Sequence, residues 1–322
     1  MASKQKTFTY RRSRFNPEPY KKTMQELLEA TFANIGVKKR AYQVSDETPH
    51  VYFINHISTV QGYFCASFFG YEKGKINHVI GELTDEKEII AAALPPTQVN
   101  GKDGQYLDGK LFFICYKNHM IISQDMAVKG QHLERYLYQK FLELNSDFTS
   151  ATQFALEKSI ARTKRSKIRG VRRINISAPL EYETVPIEPT ANAPQTPLRT
   201  VIRGKAWQAL KEFAGDAIDF SRFETEGVVD PKDVQVTLSL AWKNRNRNET
   251  ESDQIDAITN ALRNIEDEVE IEIETANGKF KRNDLILALK KGVSHNDDMP
   301  DSADIFDKMI IWHKELNQSG EI

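Results

Sequence analysis

Between Lys158 and Ile176 the chain reads KSIARTKRSKIRGVRRINI, with Lys158, Arg162, Lys164, Arg165, Lys167, Arg169, Arg172 and Arg173 and no acidic residue. The whole chain carries a formal charge of -1, so this positive charge is concentrated locally. A run of that sign attracts a polyanion without any base-specific contact. The competing reading is a solvated surface. Arg162 to Arg169 read as an exposed arm, and Val171, Ile174 and Ile176 as the anchored start of a strand. A second cationic element follows Trp242, where Lys243, Arg245 and Arg247 alternate with Asn244, Asn246 and Asn248. In an extended chain the three cations share one edge at intervals of about 6.5 Å, close to the phosphate spacing along one strand. The asparagines add hydrogen bonds to phosphate or sugar oxygens. A polar hairpin tip is the alternative. Arg11, Arg12 and Arg14 with Lys21 and Lys22 make a third candidate patch; the flanking Tyr10 and Phe15 either stack on bases or pack in the core.

Motifs for catalysis are missing. The chain has no GxxxxGK[ST] loop, no GxGxxG after a strand, no CxxC pair and no HExxH. No cofactor, metal site or catalytic residue is therefore expected. His50, His56, His78, His119 and His132 are scattered through the first half and read as ordinary surface or core histidines. A nuclease would need clustered acids to hold Mg²⁺. Glu82 to Glu88 and Glu266 to Glu274 supply acids in number, and they keep a metal-dependent nuclease open as the alternative.

These residues need a frame. Phe8, Tyr10 and Arg12 alternate with polar residues and predict an opening strand, broken by Asn16-Pro17-Glu18-Pro19. A helix follows with Leu27, Leu28, Phe32 and Ile35 at helical spacing. Short strands are predicted over 42–45, 50–58, 59–71 and 76–81, then a helix over 84–93 and a loop over 98–109. Residues 110–116 and 120–123 flank a hairpin turn at 117–119, and a helix runs from Gly130 to about Leu144. Residues 179–197 hold five prolines and read as a linker or wrapping segment. Beyond them come helices over 206–214 and 254–264, strands over 234–240 and 268–275, an Asn277-Gly278 turn, an apolar helical or strand-like run at 285–289 and a final helix over 305–316. In 268–275, Val269, Ile271 and Ile273 are expected inside, with Glu268, Glu270, Glu272 and Glu274 facing solvent or a cationic surface.

The expected class is α+β, with mainly antiparallel sheets, flanking helices, two domains and a dimeric assembly. The division falls at 1–178 for an N-terminal domain with the main basic stretch, 179–198 for the proline-rich segment and 199–322 for a second domain. At 322 residues and 40% hydrophobic content the chain can bury a sizeable core. Cys65 and Cys115 each lie in an aromatic-rich apolar run and read as buried structural thiols, whether or not they face each other on adjacent strands. No apolar run approaches the ~20 residues of a membrane helix, and the N-terminus lacks the apolar core of a signal peptide, which predicts a cytoplasmic protein.

The order of elements resembles the RexA-like phage-exclusion proteins, and more distantly the ring-forming recombination regulator RdgC. The matching pieces are Tyr10-Arg11 on the opening strand, Leu27-Leu28 on the first helix, Leu111 to Ile114 with the turn Lys117 to His119 and the helix Leu133 to Leu144, the basic bridge into Ser177-Ala178-Pro179-Leu180, the KAWQALKEFAG helix, and Val234 to Phe280. The proline-rich stretch Pro186 to Pro197 departs from the pattern. The resemblance implies a dimeric protein that binds duplex DNA with little sequence preference, with one globular and one mobile domain, acting in anti-phage defence beside a separate membrane effector. It carries over no catalytic residue.

Overall fold

In the computed structural model of the protein, residues 2–45, 48–75, 77–79, 92–94, 98–99, 102–159, 171–179, 181–186, 198–203, 235–241, 270–275, 278–281, 286–296 and 299–322 are described. The chain forms two compact units, Met1–Ile160 together with Ile286–Ile322, and Ala161–Leu285. The class is mixed, with mostly antiparallel sheet and a few helices.

The first unit begins with β1 (Ala2–Asn16), α1 (Met24–Phe32), α2 (Val37–Arg40), β2 (Tyr42–Ser45), β3 (Thr48–Val60) and β4 (Tyr63–Glu72). Two short hairpins follow, β5 (Asn77–Val79) with β6 (Ala92–Leu94) and β7 (Gln98–Val99) with β8 (Lys102–Asp103). Next come β9 (Leu107–Tyr116), β10 (His119–Gln124), α3 (Gly130–Leu144) and β11 (Gln153–Lys158). In the second unit lie β12 (Val171–Pro179), β13 (Glu181–Pro186), β14 (Leu198–Arg203), β15 (Gln235–Ala241), β16 (Glu270–Thr275) and β17 (Gly278–Lys281). The chain then returns to the first unit with β18 (Ala288–Asn296), β19 (Met299–Pro300) and α4 (Ser302–Gln318).

The first unit's sheet runs in the order β19-β18-β1-β10-β9-β4-β3-β2, with β11 also on β1. Alternation along its strands separates two apolar faces. One carries Phe64, Ala66, Phe68, Phe113, Cys115, Met120 and Ile122, which pack against Leu27, Leu28 and Phe32 of α1 and Leu133, Tyr136, Leu137 and Phe141 of α3. The other carries Phe8, Tyr10, Tyr63 and Phe112, which meet α4 through Phe8–Trp312, Phe112–Phe306 and Tyr63–His313 ring contacts. Burying each large apolar side chain stabilises the unit by about 1.5–3 kcal/mol. Helix α1 starts where Thr23-x-x-Glu26 closes a capping box, with the Glu26 amide donating to Thr23 Oγ1 at 3.3 Å and the Thr23 amide donating to Glu26 Oε2 at 2.7 Å.

The hairpin at 117–119 and the helix from Gly130 appear as the sequence pattern predicts. Four readings change. The run 59–71 is split by a turn at Gln61 and Gly62, both at positive φ (51° and 81°), so β3 continues to Val60. The predicted loop 98–109 holds β7, β8 and the start of β9, and Ala92 and Ala93 belong to β6, not to the end of a helix. The proline-rich stretch is flanked by a hairpin in which β13 pairs with β14; Pro186 ends its strand, where a missing amide donor costs no interior ladder bond. Residues 286–322 belong with the N-terminal unit, and β12 pairs with β15 and β16 of the second, so the units do not follow the linear order of the chain. The predicted helices over 206–214 and 254–264 lie outside the described residues.

Cys65 stands opposite Ile114 and Cys115 opposite Phe64, which puts the two sulfurs on opposite faces of the sheet. Both are free and buried. Burial pushes the Cys65 thiol up to about 11 and the Cys115 thiol well above its ordinary value, so neither is a reactive thiolate. Among the described residues no helix is long and apolar enough to cross a membrane.

Candidate nucleic-acid interface

The main basic stretch has two described ends. Lys158, the last residue of β11, is buried. Arg172 and Arg173, at the start of β12, are exposed, and Ile174 immediately beyond them is fully buried. The anchored strand start expected after the arm is present. Arg162, Lys164, Arg165, Lys167 and Arg169 lie outside the described residues, as do Lys243, Arg245 and Arg247.

The four-stranded sheet of the second unit runs β15-β12-β16-β17. Ile174 stands opposite Ile273, and Ile176 opposite Ile271. Ile174, Ile271 and Ile273 are buried, and the positions between them form a polar face. On that face Arg173 stands opposite Glu274, Asn175 opposite Glu272 and Ser177 opposite Glu270. Arg173 Nη1 is 4.0 Å from Glu274 Oε2, and Lys279 Nζ is 3.1 Å from Glu272 Oε1. Asn175 Nδ2 donates to Glu272 Oε1 at 3.4 Å, and Ser239 Oγ donates to Asn175 Oδ1 at 2.7 Å. The Lys279 ammonium, with smaller help from Asn175 and Lys281, holds the Glu272 carboxyl below its ordinary value. The acidic strand therefore alternates as predicted over its described part. Its cationic neighbours are in its own sheet, a pairing invisible before the register is known.

The register also sets the ends of these strands. Arg173 of β12 stands opposite Ala241 of β15. β12 begins where the basic stretch ends, and β15 ends one residue before Trp242 and the Lys243–Arg247 alternation. Because the two strands are antiparallel, the entry to one and the exit from the other lie at the same end of the sheet. Thr275, Gly278 and Lys279 lie at that end as well, opposite Val171 and Glu274 respectively for Thr275 and Lys279.

Three cations of the third predicted patch, Arg14, Lys21 and Lys22, are paired with carboxylates within the first unit, and Arg12 is exposed. Arg14 Nε is 2.9 Å from Glu157 Oε2, Lys21 Nζ is 3.0 Å from Asp147 Oδ1, and Lys22 also pairs with Asp147. Arg11 donates to the Leu156 carbonyl at 3.3 Å. Lys22 and then Lys21 hold the Asp147 carboxyl below its ordinary value. Tyr10 and Phe15 are core residues, 2% and 6% exposed, and do not offer rings to bases.

Two further clusters form from residues that are distant in sequence. On β3, β4 and β9, His50, Glu72 and Asp108 bring one ligand atom each to within 4.8 Å of one another. The ammonium of Lys75 hydrogen-bonds Asp108 there. An imidazole and two carboxylates make a donor set for a divalent transition metal, which would have to displace Lys75. The sequence carried a partial signal, since His50 and Glu72 are cross-strand partners in a hairpin; Asp108 fell in the predicted loop. Under α4, Tyr10 Oη lies 2.6 Å from His119 Nδ1 and Tyr63 Oη 3.0 Å from His313 Nδ1, with the two imidazole rings 5.7 Å apart. That cluster is packed into the core. Comparison of the chain with protein-family models and with curated proteins finds no match.

Proposed function

We propose that this protein is a non-enzymatic, largely sequence-nonspecific DNA-binding protein, acting as a homodimeric sensor or regulator in phage exclusion. The observation that carries the reading is the shared sheet end, where the strand leaving the Lys158–Arg173 stretch starts beside the strand that runs into Lys243–Arg247. Two acid-free cationic segments starting from one place offer a duplex several phosphate contacts at once. Arg172 and Arg173 stand exposed there, and the carboxylate neighbour of Arg173, Glu274, is 4.0 Å away. Phage exclusion, the dimer and a separate membrane effector follow from the resemblance to RexA-like proteins.

Replacing Arg165, Lys167 and Arg169 by Ala tests the reading. Each phosphate contact contributes about 0.9 to the slope of log K against log salt, so the triple variant should lose about 2.7 from that slope. The loss should be alike on duplexes of unrelated sequence. Unchanged affinity would remove these residues from the interface, and a loss confined to one sequence would mean base readout.

The second reading, a metal-dependent nuclease effector, has one observation in its favour, the His50–Glu72–Asp108 cluster. Among the described residues Glu272, engaged by Lys279 and Asn175, is not part of any such convergence, and Glu82 to Glu88 lie outside the described residues. Supercoiled plasmid incubated with Mn²⁺ is expected to remain uncut. Nicking that requires Mn²⁺ and is lost in Asp108→Asn would overturn the binding-only reading.

A further inference from the structure

We propose that His50, Glu72 and Asp108 form a site for a divalent transition-metal ion of the zinc class, at the end of the sheet where β3, β4 and β9 run side by side. The inference goes beyond the DNA-binding reading and stands or falls without it. No short motif marks the site, because its donors come from three strands and are far apart in sequence.

Register builds the donor set. His50 stands directly opposite Glu72 in the β3–β4 hairpin, so both side chains leave the same face of the sheet. Gly70 and Phe68 of β4 share that face. Asp108 would point to the other side if β9 alternated regularly, because its neighbour Gly109 stands opposite Gly70. The pairing instead steps from Gly70–Gly109 to Tyr71–Leu107, which leaves Asp108 as the extra residue of a bulge. A bulge re-aims a side chain, and here it brings the Asp108 carboxylate to the His50–Glu72 pair. One ligand atom from each of the three residues lies within 4.8 Å of the other two. Bonds of about 2.0–2.2 Å to one ion need donors no more than about 4.4 Å apart, which small side-chain rotations reach.

Charge and chemistry point to the same occupant. The Lys75 ammonium hydrogen-bonds Asp108, and its single charge matches only one of the two carboxylates. A divalent ion matches both. Lys75 sits on the turn after β4 with its side chain 38% exposed, so it can swing into solvent without disturbing a strand. Tyr52, close enough to feel the Asp108 charge, stacks on His132 at 5.2 Å. His132 Nδ1 accepts the Lys129 amide at 3.2 Å, which leaves the proton on Nε2 and keeps that ring out of the donor set. Asp125 is engaged by the Lys110 and Val128 amides at 2.6 and 2.9 Å. The chain thus supplies three donors and leaves the remaining position to water. An imidazole among the donors favours Zn²⁺ over Mg²⁺ or Ca²⁺, which take oxygen ligands.

Isothermal titration of the EDTA-treated full chain with Zn²⁺ is the test, with Co²⁺ absorption as a second readout. The expected result is a single saturating site per chain, d–d bands from bound Co²⁺ and no competition from Mg²⁺. His50→Gln and Asp108→Asn should each weaken Zn²⁺ binding by at least about 10- to 100-fold, the loss caused by removing even an outer partner of a metal ligand. Because His50 is exposed, His50→Gln should keep the native melting transition. Lys75→Met should tighten binding by up to about fivefold, since no ion pair has to be broken first. Zn²⁺ binding that is absent, or unchanged in both His50→Gln and Asp108→Asn, overturns the site and leaves an ion-pair cluster. Unchanged or weaker Zn²⁺ binding in Lys75→Met overturns it as well, since the ion would then lie elsewhere than on Asp108. DNA affinity, measured separately, bears only on the DNA-binding reading.

Discussion

A fragment ending at residue 178 is expected not to fold cooperatively, whereas residues 1–160 joined by a flexible linker to residues 286–322 should. β18 pairs with β1 at eight positions, Ala2 to Thr9. α4 and β18 contribute Val293, Ile305, Phe306, Met309, Ile310, Trp312 and Leu316 to the core, all buried. At about 1.5–3 kcal/mol for each of these side chains, removing them costs about 10 kcal/mol or more, against a typical net stability of about 5–15 kcal/mol. The cut also uncovers Phe8, Tyr63, Phe112 and Ile114 on the sheet face they covered. Near-ultraviolet circular dichroism and urea titration of the two fragments decide the matter. A sharp, two-state transition in the 1–178 fragment would show that the C-terminal segment is dispensable.

Acid should destabilise the first unit well before its carboxylates are protonated. His313 is buried between α4 and the sheet, facing Tyr63, Tyr116 and His119, with Tyr10 beyond His119. Burial, with a smaller contribution from His119, lowers its pKa from 6.5 to about 4. Burial also lowers His119, helped by the charges of Arg12 and Lys117. Protonated His313 would hold a charged N–H at Nε2, a buried atom with no hydrogen-bond partner among the described residues. The folded state thus binds fewer protons than the unfolded chain. Stability is fully present above pH 6.5 and falls as the pH drops from there towards 4. At about 1.4 kcal/mol for each pH unit, the His313 contribution reaches at most about 3 kcal/mol. Urea unfolding of the wild-type chain and of His313→Leu across this range measures it. The variant, made with Tyr63→Phe so that no hydroxyl loses its partner, should have a visibly flatter pH dependence. Parallel curves for the two proteins would locate the acid sensitivity elsewhere.

Much of the framework was legible because local pattern and burial agree. The Leu27-Leu28-Phe32 spacing, the Leu133-Leu137-Phe141 stripe and the Ile271-Ile273 alternation each assign one face to the core, and those faces are buried. The Thr23-x-x-Glu26 signature marks a helix start by a hydrogen-bond exchange that needs no tertiary partner. Where reading failed, the deciding contact was remote. Residues 98–109 look like a loop because of their glycines, yet Gly109 and Gly70 stand opposite each other in a sheet whose neighbouring side chains leave no room for a Cβ.

By itself, the sequence determined which side chains of the described helices and strands must be buried, where the helices around Leu27, Leu137 and Ile310 and the turn at 117–119 fall, and that two acid-free cationic segments exist. These are properties of composition and of periods of 2 and 3.6 residues, which act over a few neighbours. Only the tertiary structure decided that the C-terminal helix closes the N-terminal unit, that Arg11, Arg14, Lys21 and Lys22 are engaged by nearby groups, and that Lys6 faces Lys291. The physical reason is that charge acts through distance in space. Whether a lysine meets a carboxylate or another lysine is set by strand register, and register is chosen by the burial of apolar partners on the opposite face of the same strands.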